Sequence, residues 1–468
     1  MYQISFNNPI HVHFMGIGGI SMSGLAQILI NRGFTISGSD SKKSALTTEL
    51  EGMGAKVFYS QVAENITGDI DLLVYTAAIS QDNPELNKAK EIGIPCMSRA
   101  DLLGEIMENF ASSICVCGTH GKTTTTSMVS HILLAAAKDP TITVGGILKA
   151  IDGNIRIGQS DYFVAEACEY TNSFLSFYPK YNIILNIEED HMDFFKDLND
   201  IRNSFGRFAN NTKKDGLIFI NADIENHDEI TKTANANVIT FGLSDDADAH
   251  PFYLEFDKFG MGQFEVSYKG KEYGKISLNV PGNHNVCNAL AAAALAIELG
   301  IDFSDIQKGL ASFSGADRRF EKKGVINGVI ILDDYAHHPT EIAATLSAAK
   351  KVEHNRIITV FQPHTYTRTK AFLDDFAKAL SASDIVVLAD IYAAREKNTI
   401  GISSLDLKEK IDKLGTECHY FGSFEEIEKF LLKNCVNDDL LITMGAGNVV
   451  EIGENLLSGE LINNMNTQ

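Results

Sequence analysis

Residues 112–124 read S-S-I-C-V-C-G-T-H-G-K-T-T: an apolar β-rich run, a turn with glycines at 118 and 121, and the start of a helical stretch. A buried strand over Ser112–Cys117 feeding a helix over Lys122–Ala137 is the repeating unit of a parallel sheet covered by helices. The turn also carries chemistry. Backbone N–H groups of Gly118, Thr119, His120 and Gly121 can ring phosphate oxygens, and Lys122 can neutralise β/γ charge. A following hydroxyl, Thr123 or Thr124, can ligate Mg²⁺. The loop is a shortened G-x-x-G-K-T, with Val116 standing where the longer phosphate loop has its first glycine.

Upstream, residues 10–110 alternate the same two rhythms. Strands are expected at Ile10–Met15, Phe34–Ser37 and Asp71–Thr76, and helices at Ser21–Asn31, Ser44–Met53 and Arg99–Asn109. Gly16, Gly18, Gly19 and Ser21 lie between the first strand and the first helix, where glycines let a backbone approach a diphosphate seated at a helix N-terminus. Asp40 follows the second strand, where an acid can bind a ribose hydroxyl. The same cluster suits a nicotinamide or flavin enzyme, or a tight turn with no ligand.

Downstream, A-E-A-C-E (165–169) and N-I-E-E-D-H-M-D (186–193) follow apolar strands expected at Tyr162–Ala165 and Asn182–Ile187. Glu166 and His191 there, beside a phosphate loop, suit Mg²⁺ held partly by nucleotide phosphates. Phe252–Phe256, Gln263–Tyr268 and Lys275–Val280 read as appended antiparallel strands. P-G-N-H-N-V-C-N (281–288) opens an Ala-rich helix over Asn285–Leu299, with Asn288 able to meet a base or ribose and Asn283 able to cap the helix. G-A-D-R-R-F-E (315–321) offers either a guanidinium clamp for a phosphoryl group or an exposed arginine pair.

From Gly324 the β-α rhythm returns, with strands expected at Val329–Leu332, Ile357–Phe361, Ile385–Leu388 and Leu440–Thr443. Helices are expected at Thr340–Lys351, Thr369–Leu380 and Phe424–Leu432. D-D-Y-A-H-H-P (333–339) and F-Q-P-H-T-Y-T-R (361–368) end two of these strands, which are read as adjacent.

The 468 residues suggest about three domains at ~150 residues each. A net charge of −21 argues against a nucleic-acid partner, because such surfaces work through Lys and Arg. The longest apolar stretch, Ala289–Ile297, is about half of the ~18 residues a membrane span needs. The first fifteen residues have no basic segment of a secretory signal. Seven scattered cysteines without a C-x-x-C pair read as reduced, mostly buried thiols, so a cytoplasmic location is expected. Monomer and homodimer both remain open.

Taken in order, these motifs together with H-F-M-G-I-G-G-I-S-M-S-G (13–24) and T-M-G-A-G-N (443–448) resemble the Mur ligase family of peptidoglycan synthesis. The resemblance implies three α/β domains: a Rossmann-like one (1–111) for the UDP-sugar, a central P-loop-type ATPase one with added antiparallel strands (112–320), and a Rossmann-like C-terminal one (321–468) for the amino acid. It implies ATP and Mg²⁺ as cofactors. The implied reaction joins L-alanine to the lactyl carboxylate of UDP-N-acetylmuramate through an acyl phosphate. Carried over by motif, Lys122 would bind phosphates, while Thr123, Glu166 and His191 would hold magnesium. Asn285, Asn288 and Asp334 would contact the nucleoside, and Arg319 the γ-phosphoryl group. Gly16, Gly18, Gly19, Ser21, Asp40, Thr76, Ala77 and Arg99 would hold the UDP-sugar, with His120 near its sugar end. Tyr335, His337 and Arg368 would line the alanine side.

Two departures refine the resemblance. Some members carry arginine where Thr365 stands, which would leave the alanine carboxylate to Arg368 alone. Other branches carry a carbamoylated lysine downstream of the histidine equivalent to His191; residues 197–212 contain no lysine, which favours the alanine-adding branch. A ligase attaching a tripeptide to the same sugar nucleotide is the nearest alternative. A nicotinamide-dependent oxidoreductase is the alternative of another class, and it leaves Lys122, Glu166 and His191 without a task.

Overall fold

The computed structural model describes residues 2–459 except 77, 78, 152, 258, 259, 316, 317, 319 and 395. Three sheets follow one another along the chain. The first is all parallel, in the order Lys56–Phe58, Thr35–Ser39, His11–Met15, Leu72–Tyr75, Cys96–Ser98. Its strand order switches direction at His11–Met15, so a crevice opens at the C-terminal ends of that strand and Leu72–Tyr75.

The central sheet has ten strands, with Ser112–Cys117 paired in parallel to Tyr181–Ile184 on one side and Tyr162–Glu166 on the other. Beyond Tyr181–Ile184 come the parallel strands Leu217–Asn221 and Asn237–Phe241. The strands Ala249–Phe256, Met261–Tyr268 and Lys271–Pro281 then extend the sheet as an antiparallel meander. The third sheet runs Glu321–Ile326, Val329–Asp334, Leu440–Met444, Ile357–Phe361, Ile385–Leu388, Glu417–Tyr420, with only its first pair antiparallel. The α/β architecture expected from the sequence is therefore present in all three parts.

Several boundaries move for identifiable reasons. The strand expected to reach Ile187 stops at Ile184, because Asn186 is drawn into the glycine turn. Its carbonyl accepts from Thr119 N–H and its side-chain oxygen from His120 N–H at 2.7 Å. The helix expected over Thr369–Leu380 is two helices, Tyr366–Ala371 and Leu373–Leu380, broken where Phe372 leaves helical geometry (φ −111°, ψ 26°). The two histidine-bearing strand ends are not adjacent: Leu440–Met444 runs between Val329–Asp334 and Ile357–Phe361. The cysteines also correct an expectation, for only Cys115, Cys117 and Cys418 are buried, three are half-buried and Cys168 is exposed.

Packing divides the molecule unevenly. One continuous apolar cluster joins the first sheet to one face of the central sheet, with Phe110 and Phe163 ring to ring at 4.9 Å. The opposite central face packs against the helices Lys122–Ala135 and Asn283–Glu298, whose alanines at 289, 291–294 and 296 allow a close approach. Both apolar faces of the third sheet are built from that part's own residues. Among the described residues, no helix is long and apolar enough to cross a membrane.

Gly309, in the helix Phe303–Ser312, sits where a Cβ would lie 2.5 Å from the Ile132 Cα. Backbone on both sides leaves nothing flexible to yield, so Gly309→Ala overpacks this helix crossing. It is expected to destabilise the protein by about 1–3 kcal/mol, read as a lowered urea or thermal midpoint.

Candidate active site

Parallel strands deliver their loops to one end of a sheet, and the turn after Ser112–Cys117 is built there. Gly118 adopts φ 143°, and a Cβ on it would meet the Leu185 Cβ at 2.9 Å, so only glycine lets the loop lie against the neighbouring strand end. Gly121, at φ 84°, then turns the chain into the helix Lys122–Ala135. The Lys122 ammonium folds back over this loop, donating to the carbonyls of Gly118 (2.5 Å) and Thr119 (3.0 Å). It also meets both oxygens of Glu169, at 3.0 and 3.2 Å. Burial works against the ammonium, but Glu169, itself buried, outweighs it and raises the Lys122 pKa above its ordinary value.

Thr123 donates from Oγ1 to Glu166 Oε2 at 3.1 Å, while Glu166 Oε1 accepts from Gly145 N–H at 2.7 Å. This carboxylate–hydroxyl pair sits at the first turn of the helix that the 118–121 turn opens. His191, held at φ 54°, meets Glu169 at 3.7 Å rather than Glu166. The three residues expected at a metal thus form a pair plus a histidine one carboxylate away. Burial and the nearby Lys122 and Arg368 charges lower the His191 pKa despite Asp190 and Glu169. Its imidazole is therefore kept neutral, the form that ligates cations.

A cavity of about 180 Å³ adjoins the loop, between the central and third parts. His120, Asn285, Asn288 and Asp334 line it, so the residues expected at the nucleoside are brought together with Gly121 and Thr124. The Asn285 amide donates to the Pro281 carbonyl at 2.8 Å, and Asn288 donates to Asn285 at 3.3 Å. Asp334 accepts backbone N–H groups of Phe320 and Ala336 at 2.7 and 2.8 Å.

The first crevice collects its own group. Gly18 N–H donates to Asp40 Oδ2 at 2.8 Å, and Arg99 reaches the Ser21 hydroxyl at 3.3 Å. A Cβ on Gly16 would touch the Thr76 methyl at 3.6 Å, and the Gly19 carbonyl accepts from Ser23 at the helix start. Burial lowers the Arg99 pKa, and the Cys168 thiol of the central part lies within electrostatic reach of its guanidinium. Ala77 and Arg319, both expected at the site, fall outside the described residues.

Third-part residues face the same cleft. Arg368 makes a paired contact with Asp190, at 2.8 and 3.3 Å, across the boundary between the parts. Burial opposes ionisation of Asp190, yet Arg368 and His191 hold its pKa well below the usual carboxylate range. Arg368 also touches His364 at 3.3 Å, and the His337 ring packs between those of His364 and Tyr335 at 5.7 and 5.5 Å. Tyr335, His337 and Arg368 are therefore one group. Burial pushes the His337 pKa down to about 4, leaving a neutral ring.

The motif readings assigned no role to Glu169, Asp190 or Glu341, although all three lie within or directly beside the strand-end motifs. A buried Lys122 or Arg368 requires a counter-charge, and that requirement was the available signal. Glu341 accepts from His120 Nδ1 at 3.1 Å and from His337 N–H at 3.0 Å. Of the arginine pair, Arg318 is no exposed residue. It donates to Asp333 (2.9 Å) and to the carbonyls of Gly445 and Gly447, and its guanidinium covers the Tyr335 ring at 5.1 Å.

Arg318→Ala would leave the fully buried Asp333 without its cation, a loss expected to cost about 3 kcal/mol in unfolding experiments. Arg318→Lys keeps the charge without the planar fork and is expected to fall between the two.

Family models match along most of the chain: Mur ligase family, catalytic domain, over residues 11–111; Mur ligase middle domain over 116–296; and Mur ligase, glutamate ligase domain over 318–447. A protein of Agathobacter rectalis named UDP-N-acetylmuramate–L-alanine ligase is 61% identical over 457 residues, covering 98% of this chain and all of its own. A protein of Lachnospira eligens with the same name is 59% identical over 459 residues, with coverage of 98% and 100%. Among solved structures, the UDP-N-acetylmuramate–alanine ligase of Thermotoga maritima superposes with a TM-score of 0.76 at 30% identity, covering 96% of this chain and 98% of its own. A murein peptide ligase of Psychrobacter arcticus reaches 0.67 at 25% identity, covering 96% and 98%. Collinear motifs, three successive α/β parts and full-length similarity agree, and the chain belongs to the Mur ligase family.

Proposed function

We propose that this chain is the ATP-dependent ligase that joins L-alanine to the lactyl carboxylate of UDP-N-acetylmuramate, releasing ADP and phosphate in peptidoglycan precursor synthesis. The observation that carries the reading is identity of 59–61% over 98% of the chain with ligases of that name. The tripeptide alternative is not favoured, since ligases named for that reaction are 25–29% identical against 59–61% for the alanine ligases. A nicotinamide oxidoreductase gives the Lys122 loop and the third part nothing to do.

The chemistry follows from the substrate. A carboxylate is a poor electrophile, so one of its oxygens takes the γ-phosphoryl group of ATP and ADP leaves. The alanine amine then attacks the acyl carbon, the C–N bond forms, and the C–O bond to phosphate breaks. Such a transfer needs positive charge around the phosphoryl oxygens more than it needs an acid–base pair. In this reading Lys122 and the N–H groups of the 118–121 turn hold the β/γ-phosphates, and Lys122 exchanges Glu169 for phosphate when ATP arrives. Asn285, Asn288 and Asp334 hold the nucleoside, and Arg319 reaches the γ-phosphoryl group. Gly16, Gly18, Gly19, Ser21, Asp40, Thr76, Ala77 and Arg99 hold the UDP-sugar, with His120 at its sugar end. Tyr335, His337 and Arg368 receive alanine, with Arg368 meeting its carboxylate.

Magnesium fits the donors present. The Thr123 hydroxyl and Glu166 carboxylate are hard oxygens already 3.1 Å apart, and His191 is kept neutral nearby. When bound with ATP, the ion supplies charge neutralisation at the phosphates. The three parts, 1–111, 112–320 and 321–468, would hold sugar nucleotide, ATP and amino acid respectively. A cytoplasmic setting, where ATP is available, accords with the reading.

Phosphate release from ATP is expected only when UDP-N-acetylmuramate and L-alanine are both present, and mass spectrometry should find the alanyl product from a mixture of amino acids. Turnover without an amino acid, or none with that pair, would overturn the reading. Lys122→Ala should lower kcat by about 10²–10³-fold while UDP-sugar binding persists. Glu166→Ala should raise the Mg²⁺ concentration needed for half-maximal turnover, again sparing UDP-sugar affinity; an unchanged Mg²⁺ titration would remove Glu166 from the metal set.

A further inference from the structure

We propose that His120, Glu188 and His338 form a second cation site, suited to a zinc-type divalent transition ion, that clasps the third part of the molecule to the central part. His120 comes from the phosphate-loop turn, Glu188 from the segment after the strand Tyr181–Ile184, and His338 from the residue capping the helix Pro339–Ala349. One donor atom from each lies within 4.8 Å of the other two. His120 Nε2 and Glu188 Oε2 are 3.7 Å apart, and the two imidazole rings are 4.9 Å between centroids. Tetrahedral zinc, with bonds of about 2.0–2.1 Å, needs donors roughly 3.4 Å apart. Side-chain shifts of about 1 Å would therefore close the set.

A second observation points to a ligand. The Nε2 atoms of both histidines are buried without a hydrogen-bond partner, and His338 is only 5% exposed. An unsatisfied buried polar atom is costly, and a structure keeps few of them. His120 is already oriented for the task, because its Nδ1 is engaged by Glu341 Oε1 at 3.1 Å. With Nδ1 engaged by Glu341, Nε2 is the atom left to face an ion, which would displace there a proton that Glu341 and Glu188 favour; a carboxylate behind the ring is the arrangement found at metal-bound imidazoles. His338 Nδ1 accepts from Thr340 N–H at 3.4 Å, a long contact. Seating an ion on Nε2 moves the ring proton to Nδ1 and gives up that weak cap. The Glu188 side chain is 37% exposed, and it lines both the cavity beside the 118–121 turn and a neighbouring one beside the helix Leu373–Leu380, so an ion has a path in from solvent.

The donor chemistry separates this site from the Thr123–Glu166–His191 set. Two imidazoles and one carboxylate suit zinc and its neighbours, whereas the other set offers two hard oxygens and a single imidazole beside the nucleotide phosphates, which suits magnesium. Because the ligands come from two parts, an ion bound here would hold them together. His120 also lines the cavity assigned to the nucleoside, so the clasp would act on the nucleotide pocket itself.

The test uses the full chain without nucleotide, with Zn²⁺ binding measured against a chromogenic chelator and Co²⁺ as a visible-absorption probe. The parent should bind one Zn²⁺ more than Glu188→Gln or His338→Asn, and both variants should lose a Co²⁺ ligand-field band. Asparagine remains a good helix cap, so His338→Asn preserves the fold. The band should survive Glu166→Ala and a large excess of Mg²⁺. Equal Zn²⁺ stoichiometry and an unchanged Co²⁺ spectrum in parent, Glu188→Gln and His338→Asn would overturn the proposal. Loss of the band in Glu166→Ala alone would do the same, by placing the ion at the other set.

Discussion

A buried ammonium has to be paired, and the placement of Lys122 imposes that demand on everything around it. The loop of residues 118–121 lies against the end of the next strand, and the following helix starts with a lysine whose charge has little access to water. Two loop carbonyls and Glu169 answer it. Glu169 in turn draws in His191, whose neighbour Asp190 holds Arg368 of the third part. Two buried ion pairs, linked by the neutral His191 between their carboxylates, therefore run from the 118–121 turn to the third part. Removing one member of a pair leaves the other as an uncompensated buried charge, which is why such pairs are costly to break.

The parts are joined by two different kinds of contact. The first sheet shares an apolar cluster with one central face, and Phe110 on Phe163 marks the join. The third part keeps its apolar residues to itself and meets the central part through Arg368 and Asp190, His120 and Glu341, and Lys351 over the Phe256 ring at 4.4 Å. Apolar burial favours a fixed geometry, whereas a buried cation can exchange its protein carboxylate for a substrate anion so long as it is never left unpaired. This difference suits a cleft that must admit two anionic nucleotides and an amino acid, and then exclude water.

The acidity of the chain is consistent with this picture. A net charge of −21 describes the surface, while both proposed nucleotide substrates are themselves anions. Backbone N–H groups, helix N-termini and a few buried cations provide local positive potential against the overall sign. Lys122 and Arg368 each carry an internal carboxylate partner, so an anionic ligand reaching either would have to compete with Glu169 or Asp190.

Much of the fold was legible in residue order. The strand Ser112–Cys117, the turn 118–121 and the helix beginning at Lys122 fall where periodicity and glycine spacing place them. Less legible were short strands with interleaved polar residues, such as Gly153–Arg156 and Glu321–Ile326, because their stability comes from pairing partners distant in sequence. The break at Phe372, and the insertion of the expected strand Leu440–Met444 between the two histidine-bearing strand ends, were hidden for the same reason. The motifs by themselves determined the strand–turn–helix around residues 118–121, the family and the residue types at each strand end, since those depend on local spacing. Only the tertiary structure decided that Lys122 pairs with Glu169, Arg368 with Asp190, and His120 with Glu341 and His338. Which charges meet depends on how separately folded sheets stack, and no local sequence pattern contains that distance.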